Sequence, residues 1–262
     1  MIINPYIFGA ALDPDAQAYF TANTAITSSA DKTAISDFYS GLKTDGIYTK
    51  MKAMYLPIWS SATGNKWNLV NPLDTDAAFR LTFSTGWTHS SGGMTPNGTS
   101  AYANTFLIPS SVLSLNSTHI ASYIRTNLQF SGPIISTENA STYNNGLYIW
   151  PWQSQGYYSV RINDDASTFA TVTYDIRGLH LATRTGSAVK KYRLNSTQIF
   201  SNSVNSSGLN TSSIYIGASR NNANYNGNQQ SFISIGTGLT DTEAANFYTR
   251  VQTLMTYFGI NV

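Results

Sequence analysis

The chain has no cysteine among its 262 residues. That excludes disulfide-stapled and thiolate-metal designs and leaves the redox compartment unread. Glutamate is nearly as scarce, with Glu138 and Glu243 as the whole complement. Charged residues make up 11% of the chain, about half of an ordinary globular share. The net charge of +2 comes from scattered basic residues, so no nucleic-acid partner is expected. No stretch approaches the roughly 18 apolar residues of a membrane span, so no membrane insertion is expected either. The first residues lack the basic region and apolar core of a signal peptide. The three histidines, His89, His119 and His180, lie on separate segments. No Gly-x-Ser-x-Gly or His-x-x-x-His spacing accompanies them, which argues against serine or metal hydrolase chemistry.

Aromatic residues and the neutral polar Ser, Thr and Asn stand in place of charge. From residue 51 onward, short apolar segments recur at roughly ten-residue spacing, parted by Gly, Asn and Ser turns. They cover 53–59, 67–72, 77–83, 102–107, 119–127, 133–136, 147–150, 157–162 and 168–174. The series continues at 178–184, 189–194, 213–217 and 231–236. This is the pattern of a mainly β, two-sheet antiparallel β-sandwich or jelly roll. Pro57 sets the first segment at an edge or at its own end. The glycine-rich stretch 86–98 reads as a long connection, and 195–197 as a polar turn.

Helices bracket the strands. Asp13-Pro14 is a cap followed by proline at the first helical position, predicting a helix that ends near Asn23. A second helix starts near Ser28, carries Ile35, Phe38, Tyr39 and Leu42 on one face, and ends at Gly46. Thr240 and Glu243 form a capping box at the start of a closing helix over 240–258, and Gly259 stops it. The expected organisation is therefore residues 1–50 as an N-terminal arm with helices, for attachment or oligomerisation. Residues 51–262 form the sandwich closed by that last helix.

Three chemistries and one histidine need weighing. Glycoside hydrolysis needs two carboxylates facing across the bond to be cut. With Glu243 spent on a helix cap, only Asp74 and Asp76 stand at a spacing that shares a strand face, so no enzyme activity and no catalytic residue are expected. Calcium needs six or more oxygen ligands. Asp74/Asp76 and Asp164-Asp165 show no repeated ligand spacing and read as turn aspartates, so no metal or other cofactor is expected. His180 alternates with Leu179 and Leu181, so it faces away from them and reads as a surface or cross-strand residue. Sugar binding asks for less: an aromatic face and neutral hydrogen-bonding side chains. Three loops offer them: Trp150, Trp152, Gln153 and Tyr157 in one; Trp87 and His89 in another; Asn224 and Tyr225, with Asn221, in a third. The plainer reading is that the tryptophans cover a sandwich end while the polar loops are solvated. Six Asn-x-Ser/Thr sequons, at Asn97, Asn116, Asn139, Asn195, Asn205 and Asn210, read as incidental in so polar a chain.

From residue 178 to the end, strand, hairpin, Ile-Gly strand, last strand and capped helix follow in an order that resembles laminin-G/concanavalin A-like sandwiches. The Tyr192–Asn195 hairpin departs from that family's Tyr-x-Asn-Gly, with Ser196 at the glycine position. Further phrases carry a second resemblance: Leu12-Asp-Pro-Asp-Ala-Gln-Ala-Tyr-Phe20, Lys66-Trp-Asn-Leu-Val-Asn-Pro72 and Gly86-Trp-Thr-His-Ser90. Together they resemble structural proteins of tailed-phage virions that carry a concanavalin A-like domain. That resemblance implies a location on the virion surface, as capsid decoration, head fibre, spike or tail appendage. It also implies other virion proteins and further copies of the chain as partners; the outward aromatic loops would then meet a host cell-surface glycan. A glycan-binding lectin acting away from any particle is the alternative, and a polysaccharide-degrading enzyme a more distant one.

Overall fold

The computed structural model describes residues 11–130, 132–137, 144–153, 156–171, 175–219 and 224–262. The N-terminal arm up to residue 10, Glu138, Asn139, Asn221 and the tail of the 168–174 segment lie outside them.

The Asp13 carboxylate accepts the Asp15 and Ala16 amides at 3.0 and 3.4 Å and so starts helix α1 (Pro14–Ala22). Ser28 does the same for α2 (Ser29–Thr44) through the Asp31 amide. Strand β1 (Met51–Tyr55) and a single turn α3 (Ala62–Asn65) follow. Next come β2 (Thr82–Phe83), β3 (Trp87–Ser90), β4 (Gly93–Pro96), β5 (Ala103–Asn104) and a turn α4 (Pro109–Val112). Then follow β6 (Thr118–Ile124), β7 (Ile135–Thr137), β8 (Gly146–Trp150), β9 (Tyr157–Asp164) and β10 (Thr168–Thr171). The last strands are β11 (Gly178–Gly186), β12 (Val189–Leu194), β13 (Thr197–Asn202), β14 (Tyr215–Ile216) and β15 (Gln230–Gly236). Helix α5 (Asp241–Tyr257) closes the chain, with both halves of its capping box formed.

The strands build two antiparallel sheets. One runs β13-β12-β11-β6-β15-β4-β3, with β1 also paired to β15; the other runs β10-β9-β8-β7-β14-β5-β2. This is the two-sheet antiparallel sandwich, with N-terminal helices and a closing helix, that the strand spacing predicts.

The first sheet is buried on both faces. Ala121, Tyr123, Leu179, Leu181 and Phe232 point to a layer made by α1, α2 and α5. Ile120, Ile124, Ala182, Ile233 and Ile235 point the other way, into the space between the sheets. In the helical layer Phe38 meets Phe232 edge-on at 5.6 Å, and Phe247 packs 6.0 Å from Phe232. Arg250 of α5 reaches Asp45, just past α2, at 2.8 Å, and Gly41 gives it room, since a Cβ there would lie 2.8 Å from that side chain.

That two-faced burial corrects the surface half of the His180 reading, while the cross-strand half holds through Tyr192 of β12. The alternation with Leu179 and Leu181 holds, but the opposite face is the inter-sheet core and not solvent. His180 is fully buried, with Nδ1 at the Tyr192 hydroxyl and Nε2 donating to the Ile176 carbonyl at 2.6 Å. Three local assignments also change. The stretch 86–98 is a hairpin, β3 and β4, with Trp87 opposite Pro96. The segment 77–83 holds a turn over Asp76–Ala78, a left-handed Phe79 and only two strand residues. Strand β13 follows the 195–197 turn, where no strand is expected. Its alternation is weak because most of its side chains are at least half exposed.

Candidate functional site

Strand register gathers the three aromatic loops at one end of the sandwich. Ile124 at the end of β6 pairs with Gly178 and Gln230, the starts of β11 and β15. In the other sheet, Ile216 pairs with Ile135 and Trp150 with Ser159. Leu128, Gln129, Phe130 and Gly132 form the hub. The Trp150 indole donates to the Phe130 carbonyl at 3.0 Å, and the Gln129 amide donates to the Gln153 carbonyl at 2.7 Å. Asn226 donates to the Gly132 carbonyl at 2.7 Å, and Asn228 to that of Leu128 at 3.0 Å. Gly217 then links this hub to Trp87: its carbonyl accepts the Asn226 amide, and a Cβ on it would lie 3.1 Å from the indole.

Sharing an end does not make these side chains equally available. Trp87 is half-buried, donates to the Tyr102 carbonyl at 3.0 Å, and packs on Phe83 and His89. The Asn65 side-chain amide donates to Nδ1 of His89 at 2.9 Å, which leaves the proton on Nε2. Burial pushes the His89 pKa down, so it stays neutral. Trp152 packs against the inter-sheet core. The Gln153 backbone closes a tight turn with Gly156 and Tyr157 while its side chain stays half-buried. The Asn224 carbonyl accepts the Ser219 amide, and Tyr225 bridges to Ala218.

Tyr157 differs, being 40% exposed with its ring edge-on to Phe169, which is 55% exposed, at 6.4 Å. Leu128, 48% exposed, protrudes from the hub itself. Phe169 is absent from the sequence candidates. Its signal lies in register: it pairs with Ser159, so it faces outward with Tyr157 while Ala170 and Tyr158 face the core.

The carboxylates are tied elsewhere. Glu243 caps α5 and meets Lys50 at 2.5 Å. Asp74 pairs with Lys66 and Arg80, and Asp76 with Arg80. Asp165 accepts the Asn145 amide. Asp164 is no turn residue: it ends β9, fully buried, with Arg184 and Lys190 each 2.8 Å from Oδ2. The Arg184 guanidinium also donates to the carbonyls of Ile162, Gly186, Ser187 and Val204. Burial pushes the Lys190 ammonium pKa down against the pull of Asp164. Nothing in the Lys190-Lys191 pair or the Asp164-Asp165 pair announces this triad, because its three members come from β9, β11 and β12. Among the described residues, no three His, Asp or Glu side chains converge in a way that could hold a metal ion.

No family model matches the chain, and no curated protein matches it. Solved structures do resemble it. Domain 4 of AbnA, an extracellular GH43 arabinanase of Geobacillus stearothermophilus solved with arabinotriose, superposes with a TM-score of 0.52 at 12% identity, over 76% of this chain and 98% of that one. A Trypanosoma rangeli sialidase, solved with a difluoro-KDN ligand, gives 0.56 at 8% identity, over 85% of this chain. The binding domain of botulinum neurotoxin serotype D gives 0.51 at 10%, over 78%. The chain spans the whole of the arabinanase domain but 40% of the sialidase and 52% of the toxin domain. At these identities the shared property is the fold: the chain is built on the same kind of β-sandwich as a domain of each.

Proposed function

We propose that this chain is a non-enzymatic structural protein on the surface of a bacteriophage particle, and that it adheres to host-surface glycan. In this reading residues 1–50 serve attachment to other virion proteins or to further copies of the chain, and the loop end of the sandwich faces outward. The observation that carries the adhesive role is the Tyr157–Phe169 pair. These are two exposed aromatic rings on the outward face of β9 and β10. An exposed aromatic face with neutral donors suits the C–H faces and hydroxyls of sugars. The virion location is supported by the sequence phrases at 12–20, 66–72 and 86–90 alone. The non-enzymatic role is supported by carboxylates occupied in caps and ion pairs.

Two measurements test the proposal. Antibody labelling of intact particles is expected to decorate their surface; label confined to the medium would instead favour a free lectin. A glycan array is expected to give hits that fall about tenfold when Tyr157→Ala and Phe169→Ala are combined. An array without hits, or hits the double variant leaves intact, overturns the adhesive site. Release of new reducing ends from host polysaccharide would overturn the non-enzymatic assignment.

A further inference from the structure

On the helical side of the same end, a cavity of about 660 Å³ opens where the helical layer meets the first sheet. Its walls include Trp59, Phe258, Ser60, Ser91, Asp31 and Arg125. Three features set it apart from a surface dent.

The first is the charge of Arg125. Arg80, Arg177, Arg184, Arg193 and Arg250 each lie against an aspartate. Arg125 does not. Its guanidinium is positioned by neutral acceptors only: the Ile260 carbonyl at 2.9 Å, the Gly92 carbonyl at 3.3 Å and the Gln229 side-chain oxygen at 3.0 Å. Among the described residues, nothing accepts from Nη2. Gly92 gives the guanidinium room, since a side chain on it would push Nη1 aside. The arginine is thus held in place with one amino group, Nη2, turned to an incoming carboxylate, which a charge-assisted hydrogen bond can use.

The second feature is a fixed aromatic wall. The Trp59 indole donates to the Tyr19 hydroxyl at 2.9 Å, its backbone amide donates to Asn65 at 2.7 Å, and its ring stands at 90° to Phe258. The third is polarity without a partner. Among the described residues, nothing bonds the exposed hydroxyls of Ser60 and Ser91, and Ser60 sits at φ +55°, a left-handed conformation that a side chain adopts at a cost. Asp31, which accepts the Tyr257 hydroxyl at 3.0 Å, also lines the cavity and makes no ion pair with Arg125 among the described residues.

We infer that this cavity binds a carboxylated sugar residue of an acidic glycan. The carboxylate would lie on Arg125 and the ring on Trp59, with hydroxyls shared among Ser60, Ser91 and Asp31. The volume suits a ligand of one or two sugar units. The inference rests on the glycan-adhesion reading and adds the chemical class of the target.

The test titrates the full-length chain with glucuronate, N-acetylneuraminate, the methyl ester of glucuronate, and glucose, read by calorimetry. One of the two acids is expected to bind about tenfold more tightly than the ester or glucose, and which one identifies the source. Arg125→Gln is expected to abolish that preference. Because Arg125 also braces the C-terminus, Ala25→Trp serves as a second variant: it is exposed at the cavity mouth, breaks no internal bond, and is expected to block binding with the unfolding midpoint unchanged. Equal binding of acid and ester, binding of neither acid, or undiminished binding by Ala25→Trp overturns the inference. If array glycans are lost in the Tyr157/Phe169 double variant but not in Ala25→Trp, the cavity falls and the adhesive end stands. If no glycan binds at all, both fall.

Discussion

Asp164 holds two cations in a space that water does not reach, so its charge has no substitute. Asp164→Asn leaves Arg184 and Lys190 facing each other at full burial, and breaking a buried pair in this way costs about 3–5 kcal/mol. Urea denaturation is expected to show that loss; a change under about 1 kcal/mol would mean that the carbonyls around Arg184 alone neutralise the cluster. The buried histidines set a separate pH dependence. Burial pushes His119 and His180 down to about 4 from 6.5. Between those values the unfolded chain takes up protons that the folded chain refuses, so stability present above pH 6.5 drains away as pH falls to 4. The loss is roughly 3 kcal/mol for each histidine. Asp45, Asp74 and Asp241, whose ion-pair partners hold them below 3.8, yield their share only in stronger acid. Denaturant midpoints at pH 7, 5.5 and 4 are expected to fall steadily; a flat profile over that range would refute the assignment. The sequence exposes half of this. Alternation told which way His180 points, but what lies on that side depends on a second sheet that no local pattern describes.

Helix α5 carries the most legible signals in the chain and also the largest share of the helical layer. Its start at Thr240 and its end before Gly259 are local chemistry, satisfied within a few residues, and so they can be read directly. Thr240→Ala is expected to cost about 1 kcal/mol, the ordinary worth of a cap. Phe247→Ala is expected to cost about 3–5 kcal/mol, because Phe247 is fully buried against Phe232 and His119 and the sheet behind it cannot collapse to fill the gap. Thermal unfolding of the two variants separates these effects; similar midpoints would contradict the packing. Strands β3, β4 and β13 were harder to read for the opposite reason. Their pairing is fixed by partners across a turn, while their own residues are glycine-rich or half exposed. The same limit applies to the candidate site, where the aromatic loops could be found but not which rings stay uncovered. Trp87 and Trp152 turn inward, and Phe169 comes into view only once β10 is placed beside β9.

For the molecule as a whole, the decisive fact is that its two apolar clusters lie on opposite faces of one sheet. Tyr123 and Ile124 are neighbours in sequence, yet one belongs to the helical layer and the other to the space between sheets. Neither cluster can open without disturbing strands that serve the other. Helical signal and aromatic near-ultraviolet signal are therefore expected to disappear in one coincident transition. A helical phase melting first would mean that the layer is an independent unit. The Arg184–Asp164–Lys190 triad reinforces this unity, since it ties β9 of one sheet to β11 and β12 of the other. Its consequence concerns the making of the protein. A tie built from charges and carbonyls forms as the sheets close, with no oxidant, no isomerase and no wrong pairing to undo. The same fold is therefore within reach in a reducing interior and in an oxidising exterior, and a reductant has nothing in it to cut.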